Sequence, residues 1–252
     1  MQLDNGVPSV WAHAPSSLSL EPGRIDLWRI NLLQPEWVID RCRRVLCSTE
    51  LERFARFHFR RHRDRYVVRH GAVRCILAAY LCVPPPEVRF QAGGYGKPEI
   101  VDAKNHSKLK FNLSHSGDVA LVAVTAGLRI GIDVERVRSD ASCVGIAERY
   151  FCEGEIAKLK EFPADQQTEA FFDCWTRKEA YVKARGEGLS MPLDSFEVTF
   201  GARAPALVTV AAAKPDEIEF WGMYALQGIP GYKAAMVVEG RVHQIKYWDW
   251  DL

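Results

Sequence analysis

Apolar and polar positions recur along this chain with two different periods, and the changes of period mark its elements. Residues 24–33 (RIDLWRINLL) alternate, which predicts a strand, because successive strand side chains point to opposite faces. Pro35 breaks the pattern, and a helical region follows at about 36–47. Ser48-Thr49-Glu50-Leu51 reads as an N-cap followed by an acid in a first turn. The helix beyond it carries Tyr66, Val67, Val73, Ile76, Leu77 and Tyr80 at helical spacing and stops at Pro84-Pro85-Pro86. Residues 93–98 (GGYGKP) form a loop by composition. Residues 111–113, 119–125 and 130–134 read as strands, with a turn marked by Gly127.

The second half repeats this mixture. Residues 146–151 and 155–160 look helical, and 168–185 forms a long helix with Phe171, Phe172, Trp175, Tyr181 and Val182 near helical spacing. Gly186 and Gly188 end it, and strand-like runs follow at 196–200, 218–226 and 232–238. Helices and strands do not alternate regularly, so an α+β fold is expected rather than a doubly wound sheet.

Composition narrows the class. The 252 residues are 48% apolar and 26% charged, which suits a globular domain with a real core and excludes disorder, collagen and coiled coil as the main architecture. No run reaches the ~18 uninterrupted apolar residues of a membrane helix. The first residues, with an early Asp and no basic run before an apolar one, do not read as a signal peptide, so a cytoplasmic protein with no membrane partner is expected. The seven cysteines include no C-x-x-C pair, which points to scattered reduced thiols rather than a zinc ribbon or disulfide framework.

Net charge is +1, yet residues 41–74 hold eleven Arg against Glu50, Glu52 and Asp64. So dense a cluster of guanidinium groups favours an anionic partner: nucleic acid, a phosphorylated small molecule or an acidic protein. A solvated helix face is the plain alternative.

Four constellations could carry chemistry. In Gly131-Ile132-Asp133-Val134-Glu135, a strand places Asp133 and Glu135 on one face, where a hard divalent cation would relieve their repulsion; an ordinary acidic strand edge is the alternative. In 175–184 (WTRKEAYVKA), a helix puts Glu179 and Lys183 one turn apart, either as a surface salt bridge or as a metal ligand beside a phosphate-binding lysine. The 111–118 turn (FNLSHSGD) offers hydroxyl, imidazole and backbone donors to an anion. A hydrolase with Ser114 or Ser116 as nucleophile and His115 as base is disfavoured, because adjacent residues seldom face each other and no G-x-S-x-G elbow is present. The 94–98 loop lets a backbone approach a ligand but is not a P-loop.

Together and in this order, FNLSHSG, GIDVE and WTxKEAYxKAxGxGL resemble the 4′-phosphopantetheinyl transferase family, in its larger, surfactin-synthetase-activating branch. The upstream Gly-Lys-Pro and the Arg-rich segment also fit, and the likeness spans about residues 53–196. It implies a pseudo-twofold chain of two similar α+β halves, each with a small, mostly antiparallel sheet packed on helices. The halves would be residues 1–127, binding coenzyme A, and 128–252, holding the metal. It implies transfer of phosphopantetheine from coenzyme A to a serine of an apo acyl or peptidyl carrier protein, releasing adenosine 3′,5′-bisphosphate. Asp133, Glu135 and Glu179 would hold Mg²⁺, or Mn²⁺ in its place. Lys183, Ser114 and His115 would contact phosphates, with Lys97 and Pro98 beside the adenine and Arg60, Arg63 or Arg65 on the 3′-phosphate. Glu155 would be an auxiliary carboxylate near the site, where Cys152 replaces the family's usual Ser. A monomer that binds no nucleic acid is expected. A phosphohydrolase using the same carboxylates, or a nucleic-acid module using 41–74, are the competing functions.

Overall fold

In the computed structural model, which describes residues 11–15, 18–101, 108–138, 143–201, 204, 207–210, 218–240 and 242–252, two long helices back two sheets. The helices are α1 (Glu36–Arg44), α2 (Ser48–Ala55), α3 (Arg60–Leu81), α4 (Cys143–Tyr150), α5 (Glu153–Glu161) and α6 (Ala164–Arg185). The strands are β1 (Ala12–His13), β2 (Arg24–Asn31), β3 (Phe90–Ala92), β4 (Pro98–Ile100), β5 (Leu109–Ser116) and β6 (Val119–Ala126) in the first half. They continue with β7 (Ile130–Arg136), β8 (Phe196–Val198), β9 (Leu207–Val210), β10 (Trp221–Leu226), β11 (Tyr232–Glu239) and β12 (Gln244–Asp249). The fold is α+β, and the long helices α3 and α6 have the same length, 22 residues.

Strand order in the larger sheet is β1-β12-β2-β6-β5, and in the smaller it is β10-β11-β7. The small sheet is antiparallel throughout, whereas β12 runs parallel to both β1 and β2. Sequence reading assigned residues 244–249 to the second half; their strand completes the sheet of the first. A parallel pair between strands 220 positions apart leaves no local signature, because its partner is chosen by packing and not by a turn.

Three apolar layers result. Helix α3 covers one face of the large sheet through Val67, Ala72, Ile76 and Leu77 against Trp28, Ile30, Phe111 and Val122. Helix α6 covers the small sheet through Phe171, Ala180 and Tyr181 against Ala235 and Val237. Between the sheets, Ile25, Leu27 and Leu121 meet Ile130, Ile132, Val134 and Met236. The period-2 pattern of β7 therefore sends its three aliphatic side chains to the inter-sheet core, and Gly131 and Asp133 to α6.

The halves also share a capping device. The cap of α2 is Cys47, one residue before the expected Ser48, and Glu50 closes the box by accepting from the Cys47 amide at 2.9 Å. Helix α5 repeats this with Cys152 and Glu155 at 3.0 Å. Each glutamate then reaches a cation on the long helix: Glu50 pairs with Arg74 at 2.8 Å and Glu155 with Lys178 at 2.7 Å. The second cysteine stands where a serine cap is usual, and its thiol accepts the same backbone bond.

Candidate active site

Helix α6 lies against β7 because Gly131 has no side chain. A Cβ built there would sit 2.1 Å from the Ala180 carbonyl oxygen and 2.3 Å from the Ala184 nitrogen, so only glycine permits this approach. Asp133, two residues along the same strand face, is thereby brought to Lys183, whose Nζ lies 2.6 Å from Asp133 Oδ1. Glu179, one turn earlier on α6, completes the group.

Strand β5 is the other wall, and it joins β7 by side chains rather than by a backbone ladder. Asn112 Oδ1 accepts from the Ile132 amide (2.7 Å), Ser114 Oγ from Val134 (3.3 Å) and Ser116 Oγ from Arg136 (3.1 Å). The same hydroxyls donate onward, Ser114 to Asp133 Oδ1 (2.8 Å) and Ser116 to Glu135 Oε2 (2.7 Å). Alternate polar residues of the FNLSHS segment thus zip the two sheets together and aim the carboxylates. Ser114 also accepts from Lys183 at 3.1 Å, which fills its hydrogen-bonding capacity.

The electrostatics of the group are unbalanced. Burial raises the pKa of Glu179, and Asp133 and Glu135 raise it further. Burial also raises Glu135, with Asp133 adding to it against the Ser116 hydrogen bond. Lys183 is the cation that partly offsets three acids. Asp133 Oδ2 is buried and without a partner. An orphaned carboxylate oxygen inside a crowd of carboxylates is the setting a hard cation satisfies. Among the described residues no three acidic, His or Cys side chains are already gathered at ligand spacing, since Glu135 is turned to Ser116 and Asp133 to Lys183. The donors fit a divalent cation chemically, and ligation requires these side chains to swing inward.

Two cavities matter here, one bordering the group and one set apart from it. One, of about 760 Å³, runs from Gly94, Gly96 and Pro98 past Glu179 and Lys183 to Tyr150, Trp175 and Met191. Lys97, expected beside an adenine, lines this cavity and donates to the carbonyls of Ile130 (2.7 Å) and Lys183 (2.8 Å). It ties the glycine loop to the last turn of α6, where a cation also suits the helix dipole. Burial, then Lys110 and Lys183, bring its pKa down to about 8.

The other cavity, of about 790 Å³, lies between α2 and α3 and is lined by Arg53, Arg56, Tyr66 and His70 together with Glu50 and Glu52. Arg69 stands beside it; burial holds its pKa down to about 10, and its Nε has no partner. His115, on β5, lies within electrostatic reach of Arg69, Lys183 and His70. Enclosure by the cleft walls, then Arg69, Lys183 and His70, push its imidazole down to about 4.

The expected arginines are placed elsewhere. Arg60 is 70% exposed and pairs with Glu36 and Asp64, Arg65 pairs with Asp118, and Arg63 is half-buried. Arg53, Arg56 and His70 line the cavity instead, and Arg69 packs against His70 and Tyr66. The sequence signal that could have found them is the i, i+3, i+4 spacing of Tyr66, Arg69 and His70 on one helical stripe. Glu155 is not in the cleft. It is 1% exposed, paired with Lys178, and accepts from the Val198 amide at 2.9 Å, so its role is to hold the strand that follows the 188–195 turns. Lys178 reinforces this by donating to the Leu193 and Phe196 carbonyls at 2.8 and 2.6 Å.

Comparison with known proteins places the chain in a family. Residues 129–237 match the 4′-phosphopantetheinyl transferase superfamily, and residues 34–127 match the N-terminal region of 4′-phosphopantetheinyl transferase. The 4′-phosphopantetheinyl transferase HetI of Nostoc is 37% identical over 238 residues, covering 94% of this chain and 97% of that one. The chain belongs to the 4′-phosphopantetheinyl transferase family. The relative Sfp of Bacillus subtilis is 31% identical over 185 residues, 73% of this chain and 78% of its own. This chain is accordingly an enzyme, a phosphopantetheinyl transferase of the two-half type. The two family matches meet at residues 127–129, the turn between β6 and β7. Among the described residues, no helix is long and apolar enough to cross a membrane.

Proposed function

We propose that this transferase moves the 4′-phosphopantetheine arm of coenzyme A onto a serine hydroxyl of an apo acyl or peptidyl carrier protein, with adenosine 3′,5′-bisphosphate as leaving group. The observation that carries the reading is the Asp133–Glu135–Glu179 group with its orphaned Asp133 oxygen and the adjacent Lys183. Asp133, Glu135 and Glu179 would hold Mg²⁺, with Mn²⁺ able to replace it. When bound, the metal supplies charge neutralisation for a pyrophosphate whose P–O bond is being broken.

The chain's own residues do the remaining work. Lys183 is positioned to hold a phosphate oxygen, and its present bond to Asp133 keeps it pointed into the cleft. The glycines at 94 and 96, held by Lys97, present backbone to the nucleoside end. Pro98 adds a rigid edge there. Ser114 acts on the site through Asp133 and Lys183 more than by touching substrate. Arg53, Arg56 and His70, which line the second cavity beside Glu50 and Glu52, suit the 3′-phosphate, with Arg69 packed against His70 and Tyr66 and His115 within electrostatic reach. The larger cleft, with Tyr150, Trp175 and Met191, suits the apolar stretch of the pantetheine arm. The serine nucleophile must shed a proton as the new P–O bond forms, and the Glu179 carboxylate is within the group that would receive it. Gly94, Gly96 and Pro98 of one half and Glu179 and Lys183 of the other line the same cleft within one chain, which suits a monomer.

The nucleic-acid alternative is weakened by the same geometry. Of the arginines at 41–74, Arg43, Arg60, Arg65 and Arg74 pair with Asp40, Glu36, Asp118 and Glu50. The deciding experiment is intact-mass spectrometry of apo acyl and peptidyl carrier proteins incubated with the enzyme, coenzyme A and Mg²⁺, beside an EDTA control. A gain of one phosphopantetheine, abolished by EDTA, is expected. Coenzyme A breakdown without carrier modification would establish a hydrolase instead.

A further inference from the structure

His70 lines the cavity between α2 and α3, in a setting that disfavours its charged form. Its ring packs on Tyr66 with centroids 4.1 Å apart. Nδ1 is 3.5 Å from Glu50 Oε1, and Nε2 is 3.3 Å from an Arg69 Nη2. Arg69 can only donate, so the Nε2 beside it must present its lone pair, and the ring proton sits on Nδ1 toward Glu50. The charged and titratable groups facing the ring are Glu50 and Arg53 from α2, Tyr66, Arg69 and Arg74 from α3, and His115 from β5. Burial, with Arg69 and Arg53, lowers its pKa, against the support of Glu50. Glu50 is itself fully committed. Burial works against its ionisation, but bonds from His70, the Cys47 amide and Arg74 hold it down to about 2, so it cannot take a proton near neutrality.

A phosphate monoester drawn into this cavity by Arg53 and Arg56 reverses the balance at one atom. An imidazole lone pair facing phosphate oxygens is repulsive, whereas an Nε2–H would donate to them. The pseudo-symmetric position in the other half shows the contrast: Glu155 is sealed against Lys178 with no histidine and no cavity opening between them. We propose that His70 takes up a proton from solvent when coenzyme A binds, giving a Glu50–imidazolium–phosphate relay, and that this makes His70 a reader of the 3′-phosphate. The inference rests on the coenzyme A reading above and adds to it a proton-linked specificity residue.

The balance is simple: one proton passes from buffer to Nε2, Nδ1–H stays on Glu50, and no covalent bond of the coenzyme changes. Affinity must then rise as pH falls between the bound and free pKa values of the ring, approaching about tenfold per pH unit. Coenzyme A and dephospho-coenzyme A are titrated calorimetrically into the wild-type enzyme at pH 7.5, in two buffers of different ionisation enthalpy. The monoester, with a second pKa near ~6, is already a dianion there. Net uptake approaching one proton is expected with coenzyme A and almost none with dephospho-coenzyme A. His70→Gln and His70→Asn, both checked by circular dichroism, should lose the uptake. They should bind coenzyme A about tenfold more weakly, the equivalent of one pKa unit, with KM raised and kcat little changed. Dephospho-coenzyme A binding should be unaffected. A wild-type enzyme that prefers coenzyme A yet takes up no proton, or uptake that persists in both variants, would overturn the role of His70 and leave the subsite standing. Equal binding of the two coenzymes by wild type would overturn the 3′-phosphate subsite and this inference with it.

Discussion

Replacing Gly131 by Ala tests whether the close seating of α6 on β7 creates the active site. The added Cβ would lie 2.1 Å from the Ala180 oxygen and 2.3 Å from the Ala184 nitrogen, where ordinary contact begins at 3.4 Å. Both obstacles are backbone atoms of a buried helix, so no side chain can rotate away. Relief requires α6 to move by roughly 1.3 Å, the shortfall between those two distances. Overpacking of this kind costs about 1–3 kcal/mol. The functional cost is larger, because Lys183 Nζ now sits 2.6 Å from Asp133 and the three carboxylates share that interface. A misplacement near 1 Å in a catalytic group typically costs about a hundredfold in rate. Carrier-protein modification should therefore fall about a hundredfold in kcat/KM, while circular dichroism and thermal melting show a folded protein a few degrees less stable. Gly154→Ala is the control, since its Cβ would meet only Glu197 at 3.6 Å and the position lies in α5. That control should keep full activity. A Gly131→Ala enzyme within twofold of wild type would refute the claim that helix proximity assembles the site.

Lys178→Met should destabilise the protein by about 3–5 kcal/mol in urea unfolding, because it strands the buried Glu155 carboxylate. The double variant with Glu155→Leu should recover part of that loss, the Cys152 and Val198 amides and the Leu193 and Phe196 carbonyls still missing the bonds that Glu155 and Lys178 supplied, and equal stability of the single and double variants would deny the pairing. Glu50 ionises near 2 when folded against an ordinary 4.5, so its contribution, about 3 kcal/mol, is complete above pH about 4.5 and is lost as pH falls toward 2. Glu50→Gln should accordingly be less stable than wild type at pH 7, with the two converging in acid; a constant gap across that range would contradict the assignment. Asp133→Ala should abolish transfer measured by carrier mass while circular dichroism shows a folded protein, since the side chain's partners Ser114 and Lys183 lie at the cleft. Ser114→Ala should lower both activity and stability, as the Val134 amide and Asp133 each lose a partner.

Much of the site is written in local spacing. Period 2 alone puts Asp133 and Glu135 on one strand face and the aliphatic residues on the other, and period 3.6 alone stacks Glu179 and Lys183. The Pro and Gly punctuation likewise marks where α3 and α6 stop: Cys82 and Gly186 close them in the left-handed conformation just ahead of the proline run and the second glycine. These features follow from backbone geometry acting over a few residues, so the order of residue types carries them. Which surfaces meet is another matter. Glu155 has the sequence context of a site residue, yet the packing of α5 on α6 buries it against Lys178. Lys97 reads as a ligand-binding lysine, yet the fold supplies two backbone carbonyls that claim its ammonium. Arg60 and Arg65 look as available as Arg53 and Arg56, and only the seating of α3 beside α2 separates cavity-lining arginines from paired ones. The polar zipper of Asn112, Ser114 and Ser116, and the return of β12 to the first sheet, join positions about 20 and 220 residues apart. Such partners are chosen by how three apolar layers pack, a property of the whole chain that no window of neighbouring residues contains.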